Sequence, residues 1–264
     1  MISLAPLIFL GALTFVPQNV ADDICLAYRQ ADLDLDGKPD LVSPCAVYFQ
    51  RNGGFSRENR VELPLAAETN SEKPIRPPAC DIWRDSLFIC TPDALLIYQW
   101  KDQAWKAVHT QDIKWTGGFA TTPTNDHLSQ DMLEKSRIAF SKFVHDANED
   151  GVPEIITVSA DAMHIYARKG DDYADAAQIP VRPEMYSYPT LTSVRTLWPQ
   201  SVRAPLFPGQ SSACEFMFNA NRLTLLVRDT KEPDKVRYHR RRLALDKQFA
   251  VVPDSQQEDT TLPM

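Results

Sequence analysis

Tyr48-Phe49-Gln50-Arg51-Asn52-Gly53-Gly54-Phe55 recurs without a gap as Tyr98-Gln99-Trp100-Lys101-Asp102-Gln103-Ala104-Trp105 and as Tyr166-Ala167-Arg168-Lys169-Gly170-Asp171-Asp172-Tyr173. Each copy has a Tyr, a basic residue three positions on, a polar or small turn, and an aromatic seven positions after the Tyr. An apolar run precedes each Tyr: Cys45 to Val47, Ala94 to Ile97, and Ala162 to Ile165. Such a unit reads as strand, tight turn, strand. The first two Tyr are 50 residues apart and the next two 68, which implies an insertion of 18 residues in the second interval. It is placed at Asn125-Asp126, which would cap a short helix through Leu128, Met132 and Leu133 ending near Lys135. A period near 50 with several short strands per unit marks β-propeller blades. One small sheet cannot bury both of its faces alone, so such blades stack around an axis.

Composition agrees with an all-β reading. The chain has 264 residues, 44% hydrophobic and 24% charged, enough to bury a core. Twenty Pro against nine Gly, with few long amphipathic stretches, exclude a helical bundle, collagen, a coiled coil and a multi-span membrane protein. A net charge of −7 and a pI near 5.3 speak against nucleic acid as a partner. Ile2 to Val16 is almost wholly apolar, and charge begins abruptly at Asp22-Asp23. Residues 1–21 therefore read as a secretory signal peptide cleaved near Ala21, although no Lys or Arg precedes the apolar run. The competing reading is a buried first strand. Export would place the mature chain outside the cell, in the periplasm or on the envelope, with no transmembrane span once the signal is removed.

A second feature recurs at the start of two units. Asp32-Leu33-Asp34-Leu35-Asp36-Gly37-Lys38-Pro39-Asp40-Leu41-Val42 matches Asp146-Ala147-Asn148-Glu149-Asp150-Gly151-Val152-Pro153-Glu154-Ile155-Ile156. Alternate oxygen-bearing side chains on a loop that turns sharply at Gly can converge on one hard cation. The expected ligands are Asp32, Asp34, Asp36 and Asp40 with the carbonyl of Lys38, and Asp146, Asn148, Asp150 and Glu154 with the carbonyl of Val152. Such clusters repel themselves without a cation, so calcium is the expected cofactor. An EF-hand starts alike but needs a bidentate Glu at the twelfth loop position and flanking helices. Here Ser43 and Thr157 hold the twelfth position, and strand-like residues follow.

These two loops, set in blades with a shared hairpin, resemble the FG-GAP or VCBS repeat family, the integrin α-chain-like β-propellers with calcium loops. The resemblance covers roughly residues 24 to 182. It implies Asp-rich loops joining the first two strands of some blades, and a module for adhesion, ligand binding or scaffolding outside the cytoplasm. Four blades are expected near 24–68, 79–113, 137–182 and 213–250, with a disordered tail at 253–264. Four are near the minimum for a closed propeller, so either further strands lie in 183–212 or the propeller is partial. Blade two, starting at Cys80, and blade four, starting at Cys214, lack the acidic loop.

Repeat equivalence pairs Cys25 with Cys45 and Cys80 with Cys90 as disulfides, leaving Cys214 over. No Cys pair has zinc-ligand spacing with a nearby His. No G-x-S-x-G, H-E-x-x-H or phosphate-cradling Gly loop is present. Phe55, Trp105 and Tyr173 are expected to pack blades together, and the basic run Lys235 to Arg242 to form a solvated strand face. The expected function is a secreted or envelope-exposed, calcium-stabilised propeller that binds a protein or carbohydrate. The alternative is an enzyme, or a carbohydrate-directed accessory domain of one, on the same scaffold.

Overall fold

A computed structural model describes residues 29–64, 78–119, 138–140, 142–159, 162–180, 214–229 and 237–259. These residues form four mainly antiparallel sheets arranged as a four-bladed β-propeller, with no α-helix among them. Blade one contains β1 (Arg29–Ala31), β2 (Asp40–Val42), β3 (Ala46–Tyr48) and β4 (Arg60–Glu62). Blade two contains β5 (Ala79–Trp83), β6 (Ser86–Cys90), β7 (Ala94–Lys101) and β8 (Ala104–Asp112). A short strand, β9 (Ala139–Phe140), joins blade two by running parallel to β5. Blade three contains β10 (Val144–His145), β11 (Glu154–Val158), β12 (Ala162–Lys169) and β13 (Asp172–Pro180). Blade four contains β14 (Cys214–Asn219), β15 (Arg222–Asp229), β16 (Arg237–Ala244) and β17 (Gln257–Asp259). Apart from β9, strands of a blade that are adjacent in sequence are adjacent in the sheet.

The middle strands are near-continuous apolar runs because both faces of each sheet are buried, and successive side chains point to opposite faces. Leu87 and Ile89 pack toward blade one, with Val42, Val47 and Phe49. Phe88 and Cys90, one position along, pack toward blade three, with Val144, Ile155 and Tyr166. In β11 the alternation repeats: Ile155 faces blade two, while Ile156 faces Leu223 and Leu243 of blade four. Neighbouring blades thus share cores, beside one small cluster within blade one.

The Tyr98 and Tyr166 units form the hairpins foreseen, while in blade one the tight turn is closed by an isolated bridge between Arg51 and Gly54, and β4 follows only at Arg60. Asn52-Gly53, Asp102-Gln103 and Gly170 supply the positive φ angles of their tight turns. The aromatics seven positions after each Tyr pack rather than face solvent as a group. Trp105 stacks edge-on against Trp100 at 5.2 Å, and its indole N–H donates to the carbonyl of Glu62 in blade one. Tyr173 is buried between blades two and three, where its backbone N–H donates to Gln111 Oε1 and its carbonyl accepts from Gln111 Nε2. Phe55 packs against Leu41, Ala46 and Tyr48.

Blade two has a different device where blades one and three have an acidic loop. A two-residue turn, Arg84-Asp85, joins β5 to β6, and the buried Asp81 just before it reaches across to blade three. Its Oδ2 accepts the N–H groups of Phe143 (2.8 Å) and Val144 (2.9 Å), and its Oδ1 that of Ile82.

Two expectations need correction. Blade four does not end at 250: β17 pairs Arg240, Arg241 and Arg242 with Asp259, Glu258 and Gln257, so 257–259 is a strand of the sheet where a disordered tail is expected. The Cys80–Cys90 disulfide is absent, and both residues are buried free thiols. Cys80 is opposite Ile89, while Cys90 is opposite Ala79, so the two side chains project from opposite faces. One packs with blade one and the other with blade three. Burial drives both thiols well above their ordinary pKa, which keeps them protonated and inert. The signal segment 1–21, Cys25, the inserted helix at 125–135 and the stretch 183–212 lie outside the described residues.

Candidate functional site

The two acidic loops sit at equivalent places, between β1 and β2 and between β10 and β11. Their backbones are locked by the same five hydrogen bonds. Asp36 N–H donates to Asp32 Oδ1 at 3.0 Å, as Asp150 N–H does to Asp146 Oδ1 at 3.0 Å. Gly37 N–H donates to Asp32 Oδ2, and Gly151 N–H to Asp146 Oδ2. Asp36 N–H is shared with Asp34 Oδ1, and Asp150 N–H with Asn148 Oδ1. Lys38 N–H donates to Asp36 Oδ1, and Val152 N–H to Asp150 Oδ1. Finally, Leu33 N–H donates to Asp40 Oδ2 (2.9 Å) and Ala147 N–H to Glu154 Oε2 (2.6 Å). Leu35 and Glu149 take left-handed φ values of 60° and 58°, and Gly37 and Gly151 follow at 82° and 85°. The acids at the alternate positions therefore do structural work first: each satisfies loop N–H groups that no sheet partner reaches.

Asp40 and Glu154 open the strands that follow, and both are buried, at 0% and 2% exposure. Burial pushes the Asp40 carboxyl up, and the nearby Asp34 charge adds to this against the hydrogen bonds from Leu33 and Gln50. Burial likewise raises Glu154 to about 7, with Asp150 and Asp146 adding repulsion. These carboxylates sit where negative charge is disfavoured.

The loops differ in how they gather charge. In the first, the oxygens of Asp32, Asp34 and Asp40 lie within 4.8 Å of one another, the one such acidic triad among the described residues. Asp36 stands outside it. Its carboxylate faces Arg51 (3.2 Å) and the Lys38 ammonium (3.5 Å). Arg51, from the hairpin after β3, also pairs directly with Asp34. Sequence reasoning missed this arginine, although its signal was the basic residue three positions after each Tyr. In the second loop Asn148 replaces the acid at the Asp34 position, and its amide donates to Asp150 Oδ2. Val152 is partly exposed and Lys38 half-exposed. An all-oxygen donor set, carboxylate-rich and hinged at glycine, suits a hard divalent cation better than a soft one.

A second constellation has the look of catalysis and a plainer origin. Ser159 Oγ lies 3.1 Å from His164 Nε2, and His164 Nδ1 lies 3.2 Å from Asp175 Oδ2, the order of a hydrolase triad. The Ser159 hydroxyl, however, closes a turn, donating to the carbonyl of Ala162 and accepting its N–H. Ser43 does the same with Ala46 in blade one, and Thr91 donates to Ala94 in blade two. The serine is thus the blade's recurring turn residue with its proton engaged, and the buried histidine braces it.

A comparison with known protein families finds no family model that matches this chain, and a comparison with curated proteins finds no match.

Proposed function

We propose that this chain is a calcium-stabilised β-propeller of the FG-GAP or VCBS kind, acting outside the cytoplasm as a binding module for a protein or carbohydrate. The observation that supports it is the pair of identically bonded acidic loops, each closed by a buried acid. Asp32, Asp34 and Asp40 would hold the ion in the first loop, with Asp36 and the Lys38 carbonyl available once Arg51 withdraws. Asp146, Asn148, Asp150 and Glu154, with the Val152 carbonyl, would hold it in the second. The cation supplies charge neutralisation and a crosslink between loop and following strand. Extracellular modules bind calcium with a Kd of roughly 10⁻⁴ to 10⁻³ M, so such loops fill where free calcium is millimolar.

Thermal unfolding in calcium and in EDTA tests this reading. At a calcium concentration ten times Kd, each site adds about 1.4 kcal/mol, so two sites give about 3 kcal/mol and a rise of several degrees in Tm. Equal midpoints in calcium and EDTA would refute it.

A further inference from the structure

Where the first strands of blades one and two meet, a cavity of about 470 Å³ opens, lined by Arg29, Asp32, Asp81, Arg84, Asp85 and Lys142. Its charges come from three parts of the chain: the start of β1, the end of β5 with its turn, and the residue two before β10. Formally the charges balance, but their hydrogen-bonding capacity does not. Both oxygens of Asp81 accept backbone N–H groups from Ile82, Phe143 and Val144. Both oxygens of Asp85 accept, from Ser86 and from Gln99. Both oxygens of Asp32 accept, from Asp36 and Gly37. Each acid of this wall is thus held in place by donors of the protein itself.

Two of the three cations are not committed in the same way. Arg84 is exposed, and its guanidinium lies over the Trp83 ring at 5.6 Å, with no hydrogen bond or ion pair of its own among the described residues. Lys142 is 59% exposed and touches only Asp81 Oδ1, at 3.8 Å, too long for a hydrogen bond. Arg29 is held in the wall with its guanidinium over Phe140 at 5.2 Å. A cavity whose acids are already held by protein donors, and in which Arg84 and Lys142 have no hydrogen-bonded acceptor among the described residues, suits a ligand that brings acceptors of its own.

We propose that this cavity binds an oxyanion group, a carboxylate, sulfate or phosphate carried on a small polar molecule, through Arg84 and Lys142, with Arg29 adding charge from the wall. A guanidinium offers paired donors to two oxygens of such a group, while the ammonium adds a movable point charge. The cavity borders the first acidic loop through Asp32, but Arg84 and Lys142 lie outside that loop, so its test is run without calcium.

The test is a calorimetric titration of the whole chain at low ionic strength, in buffer freed of calcium on a chelating resin, using sodium sulfate, sodium phosphate and sodium glucuronate, with sodium chloride as the control. The expected result is one-to-one saturable binding of at least one oxyanion, with a Kd of about 1 mM, the level a few charge-assisted hydrogen bonds support once the cost of immobilisation is met. Which of the three binds tightest identifies the group. Arg84→Ala and Lys142→Ala should each weaken binding about tenfold, while Lys106→Ala, an exposed change on β8, leaves it unaltered. Both test residues are exposed, so melting temperatures should match wild type. No saturable binding of any of the three oxyanions, or binding that survives both variants unchanged, would overturn the proposal.

Discussion

Asp81→Ala lowers the stability of the folded chain by about 3 kcal/mol, measured by urea unfolding, although it removes no apolar contact and lies outside both acidic loops. The loss comes from three backbone N–H groups. Phe143, Val144 and Ile82 all donate to this buried carboxylate, and alanine offers none of them an acceptor. Each orphaned donor costs about 1 to 3 kcal/mol, partly offset because a charge no longer has to be kept out of water. Asp81→Asn separates the two contributions. An amide oxygen at the Oδ2 position keeps both bonds to blade three, so this variant should lose only about 1 kcal/mol. The sign of the pH dependence follows from the raised carboxyl pKa, caused first by burial and opposed by Lys142 and the backbone donors. A raised folded value means that stability from this group is full below the ordinary carboxylate range and is lost as pH rises through the folded pKa. Asp81→Asn should flatten that slope. Equal stability of the Ala and Asn variants would show that the interblade hydrogen bonds carry no weight.

Gly117→Ala is the second severe change, with an expected loss of about 3 kcal/mol from a single methyl group. Gly117 follows β8 and carries the chain against blade three, where Gly118 and Val158 exchange two backbone hydrogen bonds of 2.9 Å. Its φ of +87° is one that side-chain-bearing residues rarely adopt. A Cβ there would also meet the Val158 carbonyl oxygen at 2.4 Å, and backbone on both sides leaves no flexible atom to give way. Relief requires the segment from Trp115 to Phe119 to lift from blade three. That strains the Thr116 N–H bond to the Tyr166 hydroxyl and the bond from the Thr157 hydroxyl to the Thr116 carbonyl. Chemical denaturation measures the cost, and a loss below about 1 kcal/mol would mean that this link between blades is slack.

Both predictions concern joints between blades, and these are what the sequence conceals. The hairpins were legible because turn chemistry is local: Asn52-Gly53 needs only its own backbone to announce itself. The acidic loops were legible for the same reason, since all five of their recurring hydrogen bonds close within seven residues. What depends on distant partners was not. β9 pairs with β5 across some sixty residues, and nothing in Ala139-Phe140 marks a parallel strand. Asp81 stands alone in an apolar run and gives no sign that its acceptors serve residues 143 and 144. Arg51 was visible as a hairpin residue, but its reach to Asp34 depends on how the hairpin folds back over the loop.

The disulfide error is instructive in another way. With a two-residue turn at Arg84-Asp85, strand register places Cys80 opposite Ile89, one short of Cys90, and a one-residue offset reverses the face. Similar position in a repeat did not guarantee adjacency, and counting register across the turn would have excluded the bridge.

Calorimetric titration of the purified chain with calcium tests the central claim most directly, comparing wild type with Asp32→Asn and Asp146→Asn. The account predicts two equivalents bound by wild type with a Kd of roughly 10⁻⁴ to 10⁻³ M, and one by each variant. No saturable uptake by wild type, or two equivalents retained by both variants, would contradict it.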